Sequence, residues 1–217
     1  MKTPKVTVVD YGMGNLLSVC RALEQCGAEV LLTASPPAVD GAERLVLPGV
    51  GAFADGMAEL SRGGFVGPIR NFARTGRPFL GICLGMQMML DGSEEFGAHE
   101  GLGLIPGNVV AIPPTGTDGK AHKIPHIGWN ALLPPTPSTD WGGTILGGIA
   151  PGTEVYFVHS FTAVPASPVH RLADCDYDGR SISAAVKSGA MYGCQFHPEK
   201  SGEAGLRILK SFLRDPS

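Results

Sequence analysis

The 217-residue sequence contains no run of lysine or arginine, no long apolar stretch and no Cys-x-x-Cys pair. Each absence removes a class of function. With no basic patch and a formal net charge of −3, the chain lacks the electrostatic footprint that nucleic acid or an anionic membrane requires, so neither is expected as a partner. The opening MKTPKVTVVDYG offers only the short run Val6 to Val9 before Asp10, too little for a signal peptide or a membrane span, and a cytoplasmic location is expected. The five cysteines, Cys20, Cys26, Cys83, Cys175 and Cys194, are odd in number and lack paired spacing. That argues against a disulfide framework or structural zinc; free thiols, no metal and no cofactor are expected.

What is present is the material of a globular protein. A hydrophobic share of 43% against 17% charged residues can bury a sizeable core. No linker splits the chain into comparable halves, and no internal repeat is found, so residues 1–217 are read as a single domain. The 31 glycines and 18 prolines fall between apolar runs, where turns need them.

The first half reads as alternating strands and helices. Lys5 to Val9, Glu29 to Leu32, Arg44 to Leu47 and Pro78 to Ile82 are strand-like; Asn15 to Cys26, a stretch around Met57, Phe65 to Arg74 and Leu84 to Leu90 are helical. From Asn108 onward the pattern becomes short apolar runs: Val109 to Ile112, Lys123 to Leu133, Val155 to Phe161, Arg171 to Tyr177, Ser181 to Val186 and Met191 to Phe196. A final helix covers Gly202 to Leu213. The fold class is therefore α/β: an open, mostly parallel, doubly wound sheet with flanking helices and an antiparallel or mixed extension in the C-terminal half. Two loops rich in Pro, Gly, Thr and Ser, Pro113 to Gly119 and Pro134 to Gly148, are expected at the surface.

Three segments carry chemistry. Gly81-Ile82-Cys83-Leu84-Gly85 puts a cysteine between glycines at a strand-to-helix junction, the arrangement of a nucleophile elbow with sulfur in place of oxygen. An isolated cysteine is ordinarily a small buried hydrophobe. The flanking glycines and the junction, where the positive end of a helix favours thiolate, point instead to a nucleophile. His197-Pro198-Glu199 supplies a base and a group to hold it, since alternate residues of an extended segment point the same way. Pro48-Gly49-Val50-Gly51 ends a predicted strand, and its N–H groups are placed to stabilise an oxyanion; alone it would read as an ordinary tight turn.

Six blocks in order, DYGMGNL (Asp10 to Leu16), PGVGAF (Pro48 to Phe53), GICLGMQ (Gly81 to Gln87), KIPHIGWN (Lys123 to Asn130), YFVHSF (Tyr156 to Phe161) and QFHPEKSG (Gln195 to Gly202), resemble the class I glutamine amidotransferases. Within them the match is closest to the glutaminase subunits of histidine biosynthesis. The resemblance implies that glutamine is the substrate and that Cys83 is the nucleophile, His197 the general base and acid, and Glu199 the group that orients His197. It implies an oxyanion hole from Val50, Gly51 and Leu84, and glutamine binding by Gln87, Glu95 and Ser160. It further implies a heterodimer with a (β/α)₈-barrel cyclase subunit that receives the ammonia, with Asn15, Trp129 and Lys200 at or near the interface. The alternative for Glu95, less favoured than glutamine binding, is a solvated helix-end carboxylate; by residue type alone Trp129 could equally be a core aromatic. Two rival readings share the triad or the surface: a glutaminase feeding a different acceptor, such as a sugar amidotransferase, and a silent scaffold or stand-alone cysteine hydrolase.

Overall fold

The computed structural model describes residues 3–214. A seven-stranded sheet forms its centre, built from β1 (Lys5–Val9), β2 (Glu29–Thr33), β3 (Leu45–Gly49), β4 (Phe79–Cys83), β11 (Arg171–Tyr177), β12 (Arg180–Ser188) and β13 (Met191–Cys194). Its spatial order is β11-β12-β13-β4-β3-β1-β2; the five strands from β13 to β2 are parallel and the β11-β12-β13 edge is antiparallel. The inner strands β3, LVLPG, and β4, FLGIC, are buried at every residue, as a parallel sheet covered on both faces requires.

Side-chain alternation divides the core in two. Val6 and Val8 of β1, Val46 of β3 and Leu80 and Ile82 of β4 point to the face covered by α1 (Leu16–Gln25) and α6 (Gly202–Arg214). Val9, Leu45, Leu47 and Phe79 point to the opposite face, against α3 (Phe53–Arg62), α4 (Val66–Arg74) and α5 (Leu84–Met88). A one-turn helix, α2 (Pro37–Asp40), precedes β3.

The predicted extension is more divided than the sequence pattern indicates. Part of it is the antiparallel edge of the main sheet; the rest forms a four-stranded sheet ordered β10-β7-β5-β6 and a two-stranded hairpin, β8 with β9. The four-stranded sheet contains β5 (Leu90–Ser93), β6 (His99–Glu100), β7 (Ile105–Ala111) and β10 (Phe161–Pro165); the hairpin joins β8 (His126–Ala131) to β9 (Glu154–His159). The helix expected to reach Leu90 stops at Met88, because Leu90 enters β5 and pairs with Ile105. The single run expected from Val155 to Phe161 breaks at Ser160 into two strands that join different sheets. The loop Pro134 to Gly148 does not lie wholly on the surface: Trp141, Ile145 and Leu146 are buried in the α1/α6 core, and the Trp141 indole N–H donates to the Leu172 carbonyl at 2.7 Å. An indole whose one polar atom is satisfied can anchor an otherwise irregular loop in a core.

Two parallel registers position the site. Gly49 lies opposite Cys83 across β3 and β4, and Cys194 lies opposite Ile82 across β13 and β4. Chain leaving β3 and chain leaving β13 therefore emerge on either side of Cys83, at the carboxyl edge where open α/β sheets gather their ligand sites.

Gly85 makes that edge possible. A methyl group on it would land on the Leu47 carbonyl oxygen. Gly85→Ala is expected to lower the thermal unfolding midpoint by about 5 °C or more, since overpacking a tight core costs about 1–3 kcal/mol and each kcal/mol moves a chain of this size by a few degrees. Gly41→Ala, where a methyl meets nothing and φ is −86°, should leave the midpoint unchanged or slightly raised in the same thermal scan.

Candidate active site

Cys83 ends β4 and begins α5 with φ 54° and ψ −114°, a conformation that non-glycine residues rarely hold. The turn is enclosed by glycines. A methyl on Gly81 would meet Met89 Sδ at 2.6 Å and the Gly85 carbonyl at 2.8 Å, and one on Gly193 would strike Met86. This is the elbow expected from Gly-x-Cys-x-Gly, with Cys83 buried apart from the cleft it lines. The helix that follows has only five residues, so the free N–H groups of its first turn, more than a long helix dipole, supply the positive field near the sulfur.

His197 and Glu199 meet as expected, Nδ1 to Oε1 at 2.8 Å, with both side chains almost wholly buried. The expectation that Pro198 keeps the segment extended is corrected. His197 is extended (φ −98°, ψ 97°), but Pro198–Lys200 form a 3-10 turn, for which proline is preorganised at the first position, and the carboxylate reaches the ring around that turn. The segment is tied down by Ser201, whose hydroxyl donates to the His197 carbonyl at 2.7 Å and accepts from the Tyr156 N–H at 3.0 Å. Burial disfavours the charged ring, but Cys83 and Glu199 together outweigh it, and the His197 pKa is pushed up to about 9. His197 Nε2 has no well-aligned hydrogen-bond partner among the described residues, although the Cys83 sulfur lies near enough to help raise the ring's pKa. The ring is held by one nitrogen and offers the other to whatever enters the cleft.

A second polar chain approaches the sulfur from the other side. Gln87 Nε2 donates to the Phe161 carbonyl at 3.1 Å and to Gln195 Oε1 at 2.9 Å, and Gln195 Nε2 lies 3.8 Å from Cys83 Sγ. The same Phe161 carbonyl receives His159 Nδ1 at 2.8 Å, and His159 Nε2 lies 3.0 Å from His126 Nδ1. A carbonyl only accepts, so His159 carries its proton on Nδ1 and accepts at Nε2 from His126. His159 must be neutral to accept there, His126 is neutral because its Nε2 faces the Asn130 NH2 at 3.4 Å, and burial pushes each pKa down to about 4.

The cleft at the carboxyl edge has a volume of about 290 Å³ and is bounded by Val50 and Gly51, by Cys83, Leu84 and Gln87, and by Glu95, Ser160 and His197. Every predicted catalytic, oxyanion and substrate residue except Glu199, which is buried behind His197, thus lines one cleft. Gly51 has φ +103°, which a side chain would resist. Glu95 is not a helix-end carboxylate. It follows β5, and its Oε2 accepts the Phe53 N–H at 2.7 Å, the first residue of α3, an N-terminus that attracts negative charge. Its neighbour Glu94 is exposed.

Of the predicted interface residues, Trp129 is 54% exposed on β8 and packs edge-on to Tyr156, with ring centroids 6.2 Å apart, so it is not a core aromatic. Lys200 Nζ lies over the same Tyr156 ring at 5.8 Å. Asn15 caps the backbone of α1 without a side-chain cap bond. Gln195 and His159 were not singled out from the sequence. The signal for Gln195 was present: it lies within the strand-like run Met191 to Phe196 and two residues before His197, and alternation turns the two toward the same site.

With this geometry in view, the chain was compared with known proteins. A family model described as glutamine amidotransferase class-I matches residues 7–215. The imidazole glycerol phosphate synthase subunit HisH 1 of Legionella pneumophila (strain Lens) is 59% identical over 209 residues, covering 96% of this chain and 98% of that protein. The HisH subunit of Syntrophotalea carbinolica is 48% identical over 208 residues, covering 95% and 98%. Among solved structures, PurLQS from Thermotoga maritima superposes with a TM-score of 0.73 at 23% identity, covering 98% of each chain, which speaks to the fold. The chain belongs to the class-I glutamine amidotransferase family, among the HisH subunits of imidazole glycerol phosphate synthase.

Proposed function

We propose that this chain hydrolyses the side-chain amide of glutamine in the cytoplasm and passes the ammonia to a (β/α)₈-barrel cyclase subunit, as the glutaminase half of imidazole glycerol phosphate synthase. The observation that carries the reading is the buried His197–Glu199 pair facing a strained cysteine in a cleft of substrate size. In this reading Cys83 attacks the glutamine δ-carbonyl, and the oxyanion takes hydrogen bonds from the Leu84 N–H and from the Val50–Gly51 peptide. His197 gives its proton to the departing ammonia; water then attacks the γ-glutamyl thioester while His197 removes a proton from it, and glutamate leaves. Glu199 stabilises the imidazolium and fixes the tautomer.

The free polar atoms of the cleft suit glutamine. Gln87 has committed both N–H groups within the protein, leaving its carbonyl oxygen as an acceptor, and Glu95 has one oxygen engaged by Phe53. Acceptors at that end fit an α-ammonium group. The exposed Trp129, with Tyr156 and Lys200 beside it, offers the partner an aromatic and cationic surface. The HisH names of the relatives favour this acceptor over the sugar amidotransferase and scaffold alternatives.

The direct test measures glutamate formation by the chain alone and then with a barrel cyclase and its ribonucleotide substrate. Low activity alone and a rise of several orders of magnitude in the complex is the expected result; indifference to the cyclase would move the assignment to another acceptor. Cys83→Ala should abolish glutamine-dependent turnover of the complex while ammonia-dependent cyclisation continues. Glu199→Gln should lower kcat by about 10²–10⁴.

The same variant has a stability signature. The His197 pKa is raised from an ordinary 6.5 to about 9, so its imidazolium stabilises the fold fully below pH 6.5 and that contribution is lost as pH rises toward 9. Glu199→Gln removes a partner that raises the value, so its unfolding free energy, measured by denaturant titration from pH 6 to 10, should fall less over that interval than that of the wild type.

A further inference from the structure

Gln195 is fully buried, yet its side chain is committed to polar contacts at both ends. The direction of those contacts is fixed by a group that cannot reverse. The Phe161 carbonyl only accepts, so the Gln87 amide turns its nitrogen toward it; that nitrogen's second proton goes to Gln195, which must present oxygen. Only the Gln195 nitrogen then remains for Cys83, and it faces the sulfur as a donor at 3.8 Å. We infer that the Gln195 side-chain amide is a catalytic group acting on the nucleophile itself: a fixed N–H donor that favours the thiolate of Cys83 and aims its lone pairs into the cleft. This deepens the glutaminase reading and rests on Cys83 being the attacking atom.

The chemistry follows from what a donor does to sulfur. A hydrogen bond to the charged form of an acid favours that form, and thiolate accepts far better than thiol. The gain recurs at the second half of the cycle. When water attacks the thioester, a proton passes to His197, the new C–O bond forms, and the C–S bond breaks with its electron pair left on sulfur. The departing thiolate again meets the Gln195 N–H. His197, with Glu199 behind it, and Tyr11, packed near the elbow, act on this sulfur, and Glu95 and His159 line the same cleft. Gln195 differs from all five in having no titratable group, so its support of the thiolate is not lost when His197 gives up its proton.

The other cysteines make the test clean. Burial is the largest cause that raises the pKa of Cys20, Cys26 and Cys194, and it pushes Cys175 up to about 12, so near neutral pH they react slowly with an alkylating agent. The experiment is the pH dependence of Cys83 alkylation by iodoacetamide in the isolated full chain, with the modified peptide quantified by mass spectrometry. In Gln195→Leu the midpoint should move to higher pH by about one unit, with roughly tenfold slower modification at pH 7 and an unchanged plateau at high pH. Gln195→Glu, the same shape with a carboxylate, should move it further in the same direction, and it serves if the leucine variant does not fold. A merely structural role would lower the thermal midpoint and leave the alkylation midpoint where it is. A wild-type alkylation midpoint in either folded variant overturns the inference about Gln195 alone, whereas glutamate formation by Cys83→Ala would overturn the reading of the site on which it rests.

Discussion

The site hangs on one strained residue. Cys83 holds a backbone conformation that costs a non-glycine residue about 1–3 kcal/mol, and such a conformation persists only where the surroundings leave no alternative. Here the surroundings are other backbones. A side chain on Gly49 of β3 would strike Leu84, one on Gly193 of β13 would strike Met86, and one on Gly85 of α5 would strike Leu47 of β3, so β3 and β13 close on the elbow at van der Waals distance. Tight packing of this kind does not deform gradually. It fixes the sulfur relative to β3 and β13 together, and so relative to both the Val50–Gly51 loop and the His197 segment.

Given that anchor, the polar groups need only be aimed. The Phe161 carbonyl, at the start of β10, receives both Gln87 and His159 and so sets the direction of two hydrogen-bond chains at once. One runs through Gln195 to Cys83; the other runs through His126, on the same hairpin strand as the exposed Trp129. Because every member is buried and has one permitted role, reversing any one of them would leave a donor facing a donor, which in a buried setting costs more than the bond contributes. Cys83 and the outward hairpin are thus joined by one hydrogen-bonded network.

Much of this was legible in the sequence because the signals were local. Lys5–Val9 and Arg171–Tyr177 read as strands and are strands over those residues, and the elbow was visible because only glycine tolerates that crowding. What was missed depends on distant partners. The LDGS segment of β5 has no strand pattern of its own and becomes a strand by pairing with β7 and β6, just as Ser160 divides one apolar run because its two halves join different sheets. Trp141 was hidden in a loop of helix breakers, since nothing nearby in the chain indicates that Leu172 will accept its indole proton. Glu95 lies in the cleft by the same logic: it accepts from Phe53, 42 residues earlier, which no periodicity encodes.

Gln195 shows where legibility was lost by convention and not by physics. Glu199 reaches His197 around a 3-10 turn, but Gln195 follows β13 directly and His197 is still extended, so alternation turns Gln195 and His197 to the same side. A buried glutamine is costly unless both ends of its amide are used, and the position beside Cys83 makes the proposed attacking sulfur one of its two partners. An apolar residue would fill the same volume without that requirement. In the proposed reaction the stretch from Gln195 to Glu199 would therefore bring two different supports to the sulfur from one segment: a neutral donor whose effect is constant with pH, and an imidazole whose charge is needed at one step and surrendered at the next.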